Sequence, residues 1–266
     1  MIGWSPVGYG RAAVTMPPRL SQVAVLDMDG TLFPGVVGLA LVSCLAAQGL
    51  ADPGPVEDIG RVARRYEDGE LDLVSATTAV YERYASSLAG QAQHQVQQAA
   101  RECWTGVSGR LFPFSRRLVA DLADLGIRSM LISGSPDEVI QVAAQDLRIP
   151  YARGAIAETD AGRYTGELAS MPAVRDGKSA AVAELARGAG LVPRCVFAIG
   201  NSINDAGVFA LSVHSVAFEP DRELTALAEG NGWLIADRIC LPTLLTTVLS
   251  SLRAQQQVGH RRRHTW

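Results

Sequence analysis

The sequence predicts an α/β protein, a doubly wound and mainly parallel sheet with a small helical cap domain inserted into it. Three observations carry that expectation. Short β-branched runs recur along the chain and stop at Asp, Ser or Gly. Amphipathic helical stretches separate them, the alternation expected of βαβ units with helices on both faces of a sheet. Residues 35–110 break the alternation: they are rich in Ala, Leu, Gln and Glu at helical spacing, with hardly any strand character.

In order, the first strand is QVAVLD (22–27), ended by Asp-Gly. The insert follows it directly, which places it over the C-terminal edge of the sheet, where open α/β sheets bind ligands. The core resumes with the helix SRRLVADLADLG, the strand IRSMLIS (127–133) and the helix SPDEVIQVAAQDLRI. AIAETDAGRYTGEL reads as a β-hairpin turning at Asp160-Ala161-Gly162. The helix GKSAAVAELARGAG, the strands RCVFAIG (194–200) and SVAF (215–218), the helix DRELTALAEGNG and the strand WLIA (233–236) complete the core. The expected divisions are a disordered extension over 1–20, with Met16 as an alternative start, a core over 21–34 and 111–250, the cap over 35–110, and a C-terminal tail over 251–266.

With 266 residues, 48% hydrophobic and 19% charged, the chain suits a soluble globular protein with one sizeable core and a smaller second domain. The net charge of −3 offers no basic field for nucleic acid, and HRRRH (260–264) reads as a solvated tail. Cys44, Cys103, Cys195 and Cys240 form no CxxC and no Cys–His pair, which argues against zinc and disulfides and suits a reducing cytoplasm. Segment 32–50 is uncharged but broken by Gly and Pro, a poor membrane helix. The start of the chain lacks the pattern of a signal peptide. The expectation is a cytoplasmic monomer or homodimer, with no nucleic-acid or membrane partner.

Four places could carry chemistry. Asp27-Met28-Asp29-Gly30-Thr31 closes the first strand, and residues two apart in extended backbone face one side. Two such carboxylates repel unless a cation lies between them or one keeps its proton. That suits a nucleophile or metal ligand beside a proton carrier; an Asp-Gly turn accounts for the same residues without function. The second strand ends at Ser133-Gly134, followed by a capping box of Ser135, Pro136 and Glu138. Ser133 and Gly134 then lie beside a helix's positive end, which binds phosphate well, or is a plain capped turn. Lys178 opens a helix, where cations are disfavoured, so it either reaches a bound anion or stays solvated. Residues 201–205, NSIND, put oxygen side chains at a third strand end, where they can complete a Mg²⁺ site or hold a turn.

A strand ending DxDGT, a strand ending in Ser, a helix-start Lys and a strand ending Gly-(Asn/Asp)-x-x-x-Asp resemble, in that order, the four-motif pattern of the haloacid dehalogenase-like (HAD) superfamily. The helical cap between the first two motifs is similar to that of its phosphoserine phosphatase-like branch, and the resemblance runs from Val23 to Ala236. It implies a Rossmann-like core and a Mg²⁺-dependent phosphatase of a small phosphorylated metabolite. By that resemblance Asp27 is the nucleophile that becomes an aspartyl-phosphate, and Asp29 protonates the leaving oxygen and then takes a proton from water. Ser133, Gly134 and Lys178 hold the phosphoryl oxygens. Mg²⁺ is held by Asp27, the backbone carbonyl of Asp29, Asn201 and Asp205.

Two departures qualify the pattern. The family usually has an acid where this chain has Asn201, so the metal site is weakened, Asp205 takes a larger share, or activity is lost. Family members acting on phosphoserine carry an acid early in the cap to meet the ammonium group, whereas 32–50 holds no charged residue. Burying an ammonium without a counter-charge is costly, so a substrate other than phosphoserine is expected. Two alternatives stay open: a phosphotransferase using the same intermediate with an alcohol acceptor, and a catalytically impaired binding protein.

Overall fold

The strands form where β-branched and apolar residues run together, and both faces of the sheet they make are covered. The computed structural model describes residues 19–174 and 176–263. Its strands are β1 (Arg19–Leu26), β2 (Arg128–Pro136), β3 (Tyr151–Asp160), β4 (Arg163–Ser170), β5 (Leu191–Gly200), β6 (His214–Phe218) and β7 (Leu234–Ala236). They make one sheet in the order β4-β3-β2-β1-β5-β6-β7. Every neighbouring pair is parallel except β3 and β4, the hairpin. Alternation along β1 sends Ala24 and Leu26 to one face and Val23 and Val25 to the other, two separate apolar clusters.

The helices are α1 (Val37–Ala47), α2 (Pro53–Glu67), α3 (Leu73–Ser87), α4 (Gln93–Val107), α5 (Ser115–Asp124), α6 (Asp137–Leu147), α7 (Gly177–Gly188), α8 (Ala206–Phe209), α9 (Arg222–Asn231) and α10 (Leu241–Arg263). Among them α7, α8 and α9 cover the Val23 face through Val182, Phe209 and Leu224. The Leu26 face packs on α5 and α6 through Leu118 and Val139, and on α10 through Leu245 and Leu252. No helix among the described residues is long and apolar enough to cross a membrane.

Helices α1 to α4 lie between β1 and β2 in the chain. The apolar cluster on the Leu26 face continues without a break into Leu41 and Leu45 of α1, Tyr84 of α3, and Val96 and Trp104 of α4. Asp52 and Asp72 cap α2 and α3, accepting the Gly54 and Ser75 N–H groups. The two helices form a hairpin closed at its base, where the Asp52 N–H donates to the Ser87 carbonyl at 2.8 Å.

Both chain ends differ from expectation. Residues 1–18, with Met16, lie outside the described residues, but Arg19 and Leu20 of the expected extension already belong to β1. The expected tail from 251 is instead a continuation of α10 to Arg263. Leu252 is buried, and the Gln256 amide donates to Gln22 Oε1 (2.7 Å) and the Leu125 carbonyl (2.8 Å). The helix persists because its apolar stripe and a bound glutamine outweigh the polar look of the segment.

Candidate active site

The ends of β1, β2 and β5 and the start of α7 converge at the C-terminal edge of the sheet. Asp27 is the first residue past β1, its N–H bonded to the Ile199 carbonyl of β5 at 3.1 Å. Its buried carboxylate accepts the Lys178 ammonium at Oδ1 (2.7 Å) and the Thr31 hydroxyl at Oδ2 (2.9 Å). Lys178 Nζ also reaches Asp205 Oδ1 at 2.6 Å, and only 3% of the residue is exposed. The lysine is therefore not a solvated helix-start cation but a strut between two motifs. Asp205 Oδ2 in turn accepts the N–H groups of Asn201 and Ser202, each at 3.1 Å. A Cβ at position 200 would overlap the Asp205 carboxyl, which is why a glycine ends β5.

Asp29 sits one turn further on and keeps a face on the open space. Its Oδ1 accepts the Val37 N–H at 2.7 Å, and its Oδ2 accepts the hydroxyls of Ser133 (2.8 Å) and Ser135 (2.7 Å). Ser135 Oγ also accepts the Gly38 N–H at 2.8 Å. Helix α1 has no side-chain N-cap of its own, so its first two N–H groups end on an acid and a serine from the sheet. The positive end of α1 thereby faces Asp29.

The capping box expected at Ser135 does not form. Strand β2 runs through Pro136, and α6 starts at Asp137 without a side-chain cap. Ser135 instead makes a charge-assisted bond to Asp29, the stronger of the two uses for a hydroxyl. Glu138 accepts the hydroxyls of Tyr84 from α3 (3.0 Å) and Tyr164 from β4 (2.8 Å). It joins the insert, α6 and the hairpin through one buried carboxylate.

Three carboxylates, Asp27, Asp29 and Asp205, thus surround one ammonium, which bonds the first and the last. Burial pushes the Asp27 carboxyl up to about 7 against the pull of Lys178, and its neighbours Asp205 and Asp29 push the same way. Burial also raises Asp29, opposed by the bonds from Val37, Ser135 and Ser133. Burial alone would lower Lys178, but Asp205 and Asp27 outweigh it and hold the ammonium charged. The surplus of negative charge, two carboxylates beyond the one Lys178 neutralises, is what a divalent cation would offset.

A cavity of about 500 Å³ opens above these groups. Its floor includes Asp27, Asp29, Gly134, Lys178 and Asn201, while Ser133 and Asp205 stand behind it. The insert contributes Val36, Val62, Tyr66, Val80 and Tyr81, and among the described lining residues none from the insert is charged. Asn201 is wedged against Gly30, whose φ of 73° suits glycine and where a Cβ would overlap the carboxamide. Among the described residues no three His, Cys, Asp or Glu side chains form a ready-made metal cage. A mixed set of carboxylate, carboxamide and backbone carbonyl oxygens, completed by water, is the usual mode for Mg²⁺.

A family model for haloacid dehalogenase-like hydrolases matches residues 24–210, about seven-tenths of the chain. The chain belongs to this family. Similar relatives of this hydrolase include a Mycobacterium leprae protein named as a hydrolase, 29% identical over 83% of this chain and 74% of its own length. A phosphoserine phosphatase of Mycobacterium tuberculosis is 26% identical, over 88% of this chain and 76% of that one. Among solved structures, a Bordetella pertussis protein of unknown function superimposes with a TM-score of 0.69 at 22% identity, covering 82% of this chain and 99% of that one. At that identity the likeness shows the fold.

The structure brings together every residue singled out from the sequence: Asp27, Asp29, Ser133, Gly134, Lys178, Asn201 and Asp205. It adds three that were passed over. Thr31 stood in the first motif without a role, Ser135 was read as a cap, and Tyr81 looks in sequence like any apolar helix position.

Proposed function

We propose that this hydrolase is a Mg²⁺-dependent phosphatase of a small phosphomonoester, working through an aspartyl-phosphate on Asp27. The observation that carries the reading is the buried Asp27–Lys178–Asp205 bridge beside a separately held Asp29, with Asp27, Lys178 and Asp29 at the floor of one cavity and Asp205 behind it. Lys178 and Thr31 fix the Asp27 carboxylate, so an oxygen lone pair points at one spot rather than sampling rotamers. That lone pair attacks phosphorus as the ester P–O bond breaks, and the leaving oxygen takes the proton of Asp29. Burial favours the protonated form of Asp29 needed at this step. In the second half Asp29 accepts a proton from the attacking water, the P–O bond to Asp27 breaks, and orthophosphate leaves.

Mg²⁺ would be held by Asp27, the Asp29 backbone carbonyl and Asn201, with Asp205 keeping the loop and Lys178 in place. When bound it neutralises charge on the phosphoryl oxygens. Ser133 and the backbone of Gly134 lie near the C-terminal end of β2, where they would meet the phosphoryl oxygens. The wall of Val36, Val62, Tyr66 and Val80 is uncharged, and the acids on the core side are engaged, Glu219 by Arg238 and Asp221 by the Ile203 and Leu224 N–H groups. This supports an organic part without a charged amino group, so phosphoserine is not the expected substrate.

A panel of phosphomonoesters with and without Mg²⁺ tests the reading. Asp27→Asn is expected to lose phosphate release by about a thousandfold or more. Wild-type turnover in that variant would refute the nucleophile. Phosphate appearing on an added alcohol rather than in solution would identify a transferase, and no Mg²⁺-dependent release across the panel would favour a binding protein.

A further inference from the structure

One residue of the insert reaches the chemistry without a role in the scheme above. Tyr81 projects from α3 into the cavity and is 8% exposed. Its hydroxyl lies directly over Gly134: a Cβ at that position would overlap it. Burial holds the phenol protonated, and the carboxylates of Asp29 and Asp27 are near enough to push in the same direction. Among the described residues the hydroxyl has no hydrogen-bond partner. The contrast is local, because Tyr84, one turn along the same helix, and Tyr164 both donate to Glu138. The Tyr81 hydroxyl is not sealed in the protein but opens on the cavity, where a ligand atom can meet it.

The donors nearest Asp27 and Asp29 are largely engaged. Lys178 already spends hydrogen bonds on Asp27 and Asp205, and the Ser133 hydroxyl is given to Asp29. A phosphate dianion arriving among three carboxylates needs further neutral or cationic donors to be held. A phenol kept protonated by its surroundings is a permanent donor that adds no charge.

We propose that Tyr81 completes the phosphate subsite from the insert, its hydroxyl donating a hydrogen bond to the phosphoryl oxygen that lies over Gly134. The assignment rests on the phosphatase reading and deepens it: α3 then closes onto the phosphoryl group itself and not only onto the organic part. Gly134 is bare because the Tyr81 hydroxyl and the Ala173 methyl fill the space a side chain would take.

The test uses the full chain with Mg²⁺ and the variant Tyr81→Phe, which keeps the ring over Gly134 and removes one oxygen. Expected is a fall of about 10- to 100-fold in kcat/KM on the panel substrates, the scale of one hydrogen bond to a charged group. Affinity for inorganic phosphate, measured by calorimetry, is expected to weaken on the same scale, with an unchanged melting temperature because no internal bond is lost. Unchanged kcat/KM and unchanged phosphate affinity would overturn the Tyr81 assignment and leave the phosphatase reading intact. Phosphate binding that weakens in the variant while neither protein turns over would keep the assignment and sink the reading. A wild type that neither binds phosphate nor turns over would end both.

Discussion

Asn201 stands where the sequence resemblance leads one to expect an acid, and the structure gives the amide a context. The neighbouring loop is held by Asp205, whose two oxygens are engaged by Lys178 and by the N–H groups of Asn201 and Ser202. The 201 side chain therefore needs only to offer an oxygen next to Gly30. A carboxylate there would be a fourth acid around one lysine. Asn201→Asp is expected to tighten Mg²⁺ about tenfold through ligand charge, while lowering the stability of the metal-free protein through repulsion. Calorimetric titration with Mg²⁺, beside melts in chelator, checks both signs. Unaltered Mg²⁺ affinity would remove Asn201 from the ligand set. The first-motif acids and the strand-end Ser were legible because they follow apolar runs, while Lys178 and Asp205 were legible from the order of the motifs. Ser135 and Tyr81 were not, since one hydroxyl has two plausible local uses and a helical tyrosine looks like core.

At the scale of elements, the β3–β4 hairpin shows how a pattern can be read correctly while its detail is missed. Asp160 pairs with Arg163 across a two-residue turn in which Ala161 has a φ of 46° and Gly162 a φ of 77°. Tight two-residue turns of this kind want positive φ at both centres, which Asn or Gly adopts readily and Ala does not. Ala161→Asn is expected to stabilise the fold by about 0.5–1 kcal/mol, with unaltered turnover. Urea denaturation reads the gain, and a loss of stability would show that the alanine methyl packs usefully. Strand interiors were visible in sequence because β-branched runs are long enough to identify; strand ends were not. β2 runs three residues past Ser133, drawn on by the bond of Ser135 to Asp29, a partner more than a hundred residues away. The end of α10 was misjudged for a different reason: Leu241, Leu245, Val248 and Leu252 keep helical spacing straight into the polar segment.

For the whole molecule, buried acids set how stability follows pH. Burial holds Asp27, Asp29 and Glu138 above their ordinary values. A carboxyl whose folded value exceeds its unfolded one binds its proton more tightly when folded. Its contribution to stability is full below the unfolded value and is lost as pH rises through the folded one. For Asp27 the window runs from 3.8 to about 7. The metal-free protein is thus expected to melt lower as pH rises from about 5 to about 8, and Mg²⁺ to restore most at the upper end, where the site is most anionic. Melting curves in chelator and in Mg²⁺ across that range check it; a melting temperature that climbs with pH in chelator would contradict it.

The neck of the α2–α3 hairpin, where the Asp52 N–H meets the Ser87 carbonyl, has a consequence for how this architecture can change. Helix α1, on the chain-start side of that neck, is anchored to the proton carrier, since it begins on Asp29 and Ser135. Residues 53–86, between the two strands of chain at the neck, form a closed excursion that leaves and rejoins the molecule there and rests on it through α3. A lineage can therefore lengthen, shorten or repaint the excursion, and so trade one organic group for another, without re-solving the chemistry beneath. Among the described residues Tyr81 over Gly134, Tyr84 on Glu138 and Ser86 against Gly166 travel with the excursion and still touch the sheet side, so they mark the limit of that freedom.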